Sequence, residues 1–127
     1  MVMDLSLAKH LINVKGTEVT GYDFTVLEDN NVLVLEVVPE QTNVCPLCGR
    51  ICPGYDYASK GSRTWRDVDW NGTKVFLSYR PKRIECPEHK IVTEAVPWAH
   101  HKSRFTKAFE QKLLWVVSIC PELLYPS

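Results

Sequence analysis

Two short stretches decide the reading of this chain: Cys45-Pro46-Leu47-Cys48-Gly49 and Cys86-Pro87-Glu88-His89. Each sets two soft metal ligands two residues apart. Zinc takes a tetrahedron of thiolate and imidazole ligands, and one tight C-x2-C turn supplies two corners. Gly49 follows the second thiolate, where such a turn often needs a left-handed backbone. Cys86 and His89 offer the other two corners. Thirty-seven residues separate Cys48 from Cys86, room for a β-excursion between the knuckles. A disulfide suits the chain less well. Met1 to Val14 carries Asp4, Lys9 and His10, which is no secretory apolar segment, and in a reducing cytoplasm paired cysteines usually bind metal. Cys52 could replace a neighbour in C-x2-C-x3-C, but Pro53-Gly54 turns the chain away after it. Cys120 lies in an apolar run and reads as a small core residue.

Working outward, the residues before the first knuckle read as β. Glu18 to Val26 alternates loosely and is rich in β-branched and aromatic residues, Glu28-Asp29-Asn30-Asn31 is a turn cluster, and Val32 to Val38 is a second strand that Pro39 ends. Before them, Met1 to Asn13 has the spacing of one or two helical turns. Between the knuckles, Tyr55 to Ser59 reads as a short strand. Arg63 to Trp70 is a two-sided strand, with Trp65, Asp67 and Asp69 on one face and Arg66, Val68 and Trp70 on the other. Asn71-Gly72 is a hairpin turn, and Thr73 to Tyr79 is the partner strand. Lys82 to Cys86 leads into the second knuckle, and Ile91 to Val96 is a last strand. His100-His101-Lys102 reads as a solvated turn. Ser103 and Thr106 are candidate N-caps for a helix whose stripe is Phe105, Phe109, Leu113, Val116, Val117 and Cys120, stopped by Pro121.

The 127 residues are 45% hydrophobic and 24% charged, which allows one small domain with a helical appendage. A core this small gains much from a structural metal. Leu113 to Cys120 is the longest uncharged run after the knuckles, too short to span a membrane. Formal net charge is zero but unevenly spread. Residues 1–59 hold three Lys/Arg against eight Asp/Glu, whereas residues 60–112 hold twelve against six. Arg63, Arg66, Arg80, Lys82 and Arg83 cluster between the knuckles with Trp65, Trp70, Phe76 and Tyr79 interleaved. Such residues can bind phosphates and stack on bases, and in a small β-domain the rings can equally be core.

Cys45–Gly49, Tyr55-Asp56, Arg63-Thr64-Trp65-Arg66-Asp67-Val68-Asp69, Cys86–His89, Val96–Ala99 and Ser103–Glu110 occur in an order that resembles the start of an ISL3-family bacterial insertion-sequence transposase. The resemblance implies an N-terminal zinc finger ligated by Cys45, Cys48, Cys86 and His89, followed by a helix-turn-helix and a DDE catalytic domain. The 105–120 stripe would be the first helix of that helix-turn-helix. With Ser127 as the last residue, the partner helix and the DDE domain lie outside the chain, so no enzymatic activity and no small-molecule substrate are expected of it. Asp67 and Asp69 flanked by Arg63 and Arg66 read as a salt-bridged strand surface rather than as a two-metal site. A zinc with four protein ligands has no open position for catalysis.

The expectation is an α+β chain: a β-hairpin segment over 1–40, a zinc ribbon of short antiparallel strands over 41–100, and a C-terminal helix over 101–127. It would be cytoplasmic, carry structural zinc, bind insertion-element DNA through Arg63, Arg66, Arg80, Lys82 and Arg83, and bury its helix stripe against the ribbon or against a second copy of itself. The competing expectation is a zinc-ribbon module that binds protein and not DNA.

Overall fold

The computed structural model describes residues 14–70 and 72–119. The helical turns expected in Met1 to Asn13 lie outside those residues, as do Asn71, Cys120 and Pro121. Along the described chain the elements are β1 (Thr17–Leu27), β2 (Asn30–Pro39), β3 (Gly54–Tyr57), β4 (Arg63–Trp70), β5 (Thr73–Tyr79), β6 (Lys82–Cys86), β7 (Lys90–Thr93) and α1 (Lys107–Ile119). The architecture is α+β and rich in strands. No helix among the described residues is long and apolar enough to cross a membrane.

β1 and β2 form the expected hairpin, pairing from Thr17↔Pro39 to Leu27↔Asn30. Its two-residue turn places Glu28 and Asp29 at φ 48° and 65°, the left-handed pair that matches the twist of hairpin strands. β4 and β5 form the second hairpin, with Gly72 at φ 81° in its turn. The two hairpins then join through a parallel β2–β5 ladder, from Val32↔Lys74 to Glu36↔Ser78, giving one sheet in the order β1-β2-β5-β4. A parallel pair needs a long crossover, and here the crossover carries the first knuckle. The hairpin from residues 1–40 therefore shares a sheet with strands from residues 41–100.

One face of this sheet is the main core. Leu33, Leu35 and Val37 of β2 alternate inward and meet Val75 and Leu77 of β5 and Trp65 of β4. Trp98 closes the layer, packing edge-on against Trp65 at 5.4 Å and Tyr79 at 5.6 Å between ring centroids. The second sheet, β3-β6-β7, is antiparallel throughout. Its core is much smaller: Cys45, Cys52, Ile84 and Cys86, with Val92 against them.

Glu94 joins the two sheets. It is buried, and its carboxylate accepts from the Asn43 amide at 3.0 Å, the Lys82 amide at 2.7 Å and the Tyr79 hydroxyl at 2.9 Å. Burial and the Glu94 charge push the Tyr79 phenol well above its usual range.

The helix departs from the edge of β4. The Arg66 amide donates to the Arg104 carbonyl and the Thr106 amide to the Arg66 carbonyl, both at 2.9 Å, so residues 104–106 lie along the strand before α1 begins. Thr106 is the N-cap: its hydroxyl accepts the Phe109 amide at 3.2 Å. Phe105 and Phe109 stack at 5.2 Å, and the Arg66 guanidinium lies over Phe109 and Phe76. Leu113 of the expected stripe is half-buried, while Leu114 and Trp115 are exposed.

Candidate metal centre and nucleic-acid surface

The first knuckle is a tight hairpin rooted in three backbone bonds. The Cys45 amide donates to Arg50, the Gly49 amide to Cys45 and the Cys52 amide to Asn43, at 2.8–2.9 Å. Gly49 sits at φ 77°, the left-handed backbone its position calls for. The second knuckle connects β6 to β7, and its fifth residue, Lys90, takes the same conformation at φ 62° without the freedom of glycine. An Arg50–Glu88 ion pair at 3.2 Å ties one knuckle to the other on the surface.

These turns bring one ligand atom each from Cys45, Cys48, Cys86 and His89 within 4.8 Å of one another. Cys48 Sγ and Cys86 Sγ are 3.7 Å apart, and His89 Nδ1 lies 3.7 Å from Cys45 Sγ and 3.5 Å from Cys86 Sγ. A tetrahedron with Zn–S of about 2.3 Å and Zn–N of about 2.0–2.1 Å has S···S edges of about 3.8 Å and S···N edges of about 3.6 Å. The donor set and its spacing thus suit structural zinc. Burial opposes the Cys86 thiolate, but the His89 and Glu88 amides and the His89 ring outweigh it, and its pKa falls to about 6. These donors thus favour the thiolate of Cys86, the form a metal needs. The Arg50 amide favours the Cys48 thiolate, yet burial and the neighbouring sulfurs together push that thiol up. Cys52 is buried beside the set with its thiol directed at the Arg50 carbonyl, 3.6 Å away, and burial raises its pKa.

The five cations singled out from sequence do not form one patch. Arg83 is held by both carboxylate oxygens of Asp56 and lies over Tyr55. Its guanidinium in turn holds the Asp56 carboxyl below the usual carboxylate range. Arg80 stacks on Tyr57 at 3.7 Å, and its Nε donates to the Ser59 carbonyl. Lys82 lies between them on β6. Arg63 is exposed at the start of β4, where it reaches the Ala58 carbonyl at 3.4 Å. Arg66 is on the far side, ion-paired with Asp69 and roofed by the Phe109 ring.

Asp67 and Asp69 do not share a strand face. A register shift between Asp67 and Trp70 separates them. Asp67 turns into the core and Asp69 stays exposed with Arg66. The expected salt-bridged surface holds for Asp69 only. One contributor is missed by the sequence: Glu94, expected inside an Ile91 to Val96 strand, whereas β7 ends at Thr93 and Glu94 lies just beyond it. The His100-His101-Lys102 turn is exposed, as expected.

Residues 41–89 match the family model described as the zinc-finger of transposase IS204/IS1001/IS1096/IS1165. This part of the chain is thus similar to the zinc-ribbon region of ISL3-type transposases. Two curated relatives, each a transposase for insertion sequence element IS1557, come from Mycobacterium tuberculosis strains CDC 1551 / Oshkosh and ATCC 25618 / H37Rv. Each is 40% identical over 76 residues. The aligned part is 60% of this chain and spans 17% of the relatives' length. No solved structure matches the chain significantly. The matched region of the ribbon runs from just before the first knuckle to His89, and so contains all four clustered ligands as well as the β4–β5 hairpin.

Proposed function

We propose that Cys45, Cys48, Cys86 and His89 hold one structural zinc, and that the ribbon so fixed binds insertion-element DNA for a transposase. The observation that carries the reading is the near-tetrahedral spacing of the four ligand atoms in a region of transposase type. Zinc supplies a cross-link between two knuckles whose own core is too small to hold them. The exposed cations Arg63 and Arg80, with Lys82, supply phosphate contacts. Arg66 and Arg83, each paired with a carboxylate, shape the surface more than they add charge to it.

The ribbon's part in this reading is binding, since a zinc held by all four Cys and His ligands keeps no open position for chemistry. The same reading includes a homodimer contact through α1, since Leu114 and Trp115 leave apolar surface exposed on that helix.

The test is metal content together with fluorescence anisotropy on duplex DNA carrying the ends of the element. One zinc per chain and salt-dependent binding are expected. A zinc-loaded chain with no affinity for duplex DNA at low salt overturns the DNA reading and leaves the zinc site standing.

A further inference from the structure

A groove of about 930 Å³ runs between the first knuckle and the segment that precedes α1. One wall is Pro46 and Leu47 with Ile91 to Ala95 of the β7 arm. The other is His100 to Arg104, with Arg63 at its end. The lining is chemically one-sided. Arg63, Lys102 and Arg104 are exposed cations, and His100 and His101 add exposed imidazoles that can each donate a hydrogen bond. Glu94 is the single carboxylate of the lining, and it is already turned inward to Asn43, Lys82 and Tyr79. Among the described residues no carboxylate lies in ion-pairing range of Arg63, Lys102 or Arg104, in contrast with Arg66 and Arg83.

The basic wall is also held still. Trp98 and Ala99 are buried at one end. The Lys107 amide donates to the Trp98 carbonyl at 2.8 Å, and the Arg66 amide to the Arg104 carbonyl at 2.9 Å. Between them the Ser103 amide donates to His100 at 3.0 Å and closes a turn in which Lys102 has φ 66°. A left-handed lysine in an anchored turn is a direction imposed on a charge, and preorganised charges lose less entropy on binding.

We infer that this groove is where the ribbon takes a DNA phosphate backbone, with Lys102, Arg104 and Arg63 as its contacts; the inference rests on the DNA-binding reading above and moves its centre from β6 to the 100–104 turn. The ligand is duplex rather than single-stranded. Trp65, the one Phe, Tyr or Trp of the lining, is buried, so besides the small imidazoles of His100 and His101 the lining offers charge rather than a stacking platform. Contacts of this kind position the protein without reading sequence.

The experiment compares Lys102→Gln with Arg104→Gln against Arg80→Gln with Lys82→Gln, by anisotropy on a labelled duplex over a series of salt concentrations. Each lost phosphate contact lowers the log–log salt slope by about 0.9, so the groove pair should flatten it by about 1.8 and weaken binding to all sequences alike. The charge-keeping pair Lys102→Arg with Arg104→Lys should restore the slope, which a merely structural defect would not allow. Matched thermal midpoints show that the variants fold. A groove pair with the wild-type slope, while Arg80 and Lys82 carry the loss, overturns the groove and leaves DNA binding intact. A zinc-loaded wild type that ignores duplex DNA overturns both, and preference for an acidic polypeptide over duplex assigns the groove to a protein partner instead.

Discussion

The Thr106 hydroxyl donates to Asp67 Oδ1 at 2.7 Å, across 39 residues of chain, with both side chains buried. The same hydroxyl accepts the Phe109 amide, so one oxygen fixes the start of α1 to the edge strand of the main sheet. Asp67 takes a second bond from the Val68 amide at 2.8 Å. Thr106→Val keeps the shape and removes both functions. A hydrogen bond to a charged group contributes about 1.5–3 kcal/mol and an N-cap about 1 kcal/mol, so a loss of about 2.5–4 kcal/mol is expected. Thr106→Ser should stay near wild type. Equal urea midpoints for the two variants would contradict the assignment.

How far the sequence carried is visible at these same residues. Thr106 was a candidate cap, and both hairpins were legible, because capping and strand alternation are local signals. Asp67 was misread, because the register shift after it interrupts the period on which face assignment depends. The parallel β2–β5 ladder was also out of reach: nothing local in Val32 to Glu36 names Lys74 to Ser78 as its partner. Nor could composition disclose that Arg83 would meet Asp56. That pair follows from the β3–β6 register, in which Asp56 stands opposite Arg83. The knuckles were legible because metal-ligand spacing survives whatever fold surrounds it.

Metal removal should act unevenly. The main sheet has its own core of Leu33, Leu35, Val75, Leu77 and Trp98, whereas two of the four core residues of the ribbon are themselves ligand cysteines. Chelation, or Cys86→Ser, should expose the β6 and β7 amides to hydrogen exchange while β1, β2 and β5 stay protected. Uniform loss of protection across both sheets would show that the two are one cooperative unit.

The Asp56–Arg83 pair gives a pH signature. The Arg83 guanidinium lowers the Asp56 pKa from its ordinary 3.8. A carboxyl depressed in the folded state contributes stability that is present above its ordinary pKa and is lost as pH falls through the folded one. The docking of β3 on β6 should therefore loosen only in acid below pH 3.8. Carboxyl NMR should show Asp56 titrating below its ordinary 3.8, and Arg83→Gln should raise it toward that value. An unmoved midpoint in that variant would deny the coupling.

Gly49 and Lys90 hold equivalent places in the two knuckles, at φ 77° and 62°. A side chain in that region costs about 1–2 kcal/mol, partly offset for glycine by about 0.5–1 kcal/mol of chain entropy. Gly49→Ala should thus destabilise although no atom lies within 4 Å of the added Cβ. Lys90→Gly should stabilise by about 0.5–1 kcal/mol. Chelator-competition midpoints for zinc should move the same way, later for Lys90→Gly and earlier for Gly49→Ala. Opposite signs would mean that strain at the knuckle is not what limits it.

Glu94 is the joint between sheet and ribbon. Its three donors come from three places: Asn43 at the root of the first knuckle, Tyr79 at the end of β5 and Lys82 at the start of β6. Among the described residues no cation pairs with Glu94, so neutral donors hold its side chain. Glu94→Gln keeps the volume but turns an amide NH2 toward at least one donor, leaving a buried clash of donors worth about 1–3 kcal/mol. Tyr79→Phe removes one donor and leaves the carboxylate its two amides, a smaller loss of about 0.5–1.5 kcal/mol. The two changes touch one network, so their double variant should lose less than the sum of the singles. The effect should also reach the 100–104 turn: Glu94 lines the groove from behind, and a ribbon tilted on this joint carries Leu47 away from Arg104. Glu94→Gln should therefore weaken duplex binding without removing a single positive charge, and the salt slope should stay at its wild-type value. A flattened slope in that variant would place Glu94 in the charge balance of the groove rather than at its hinge.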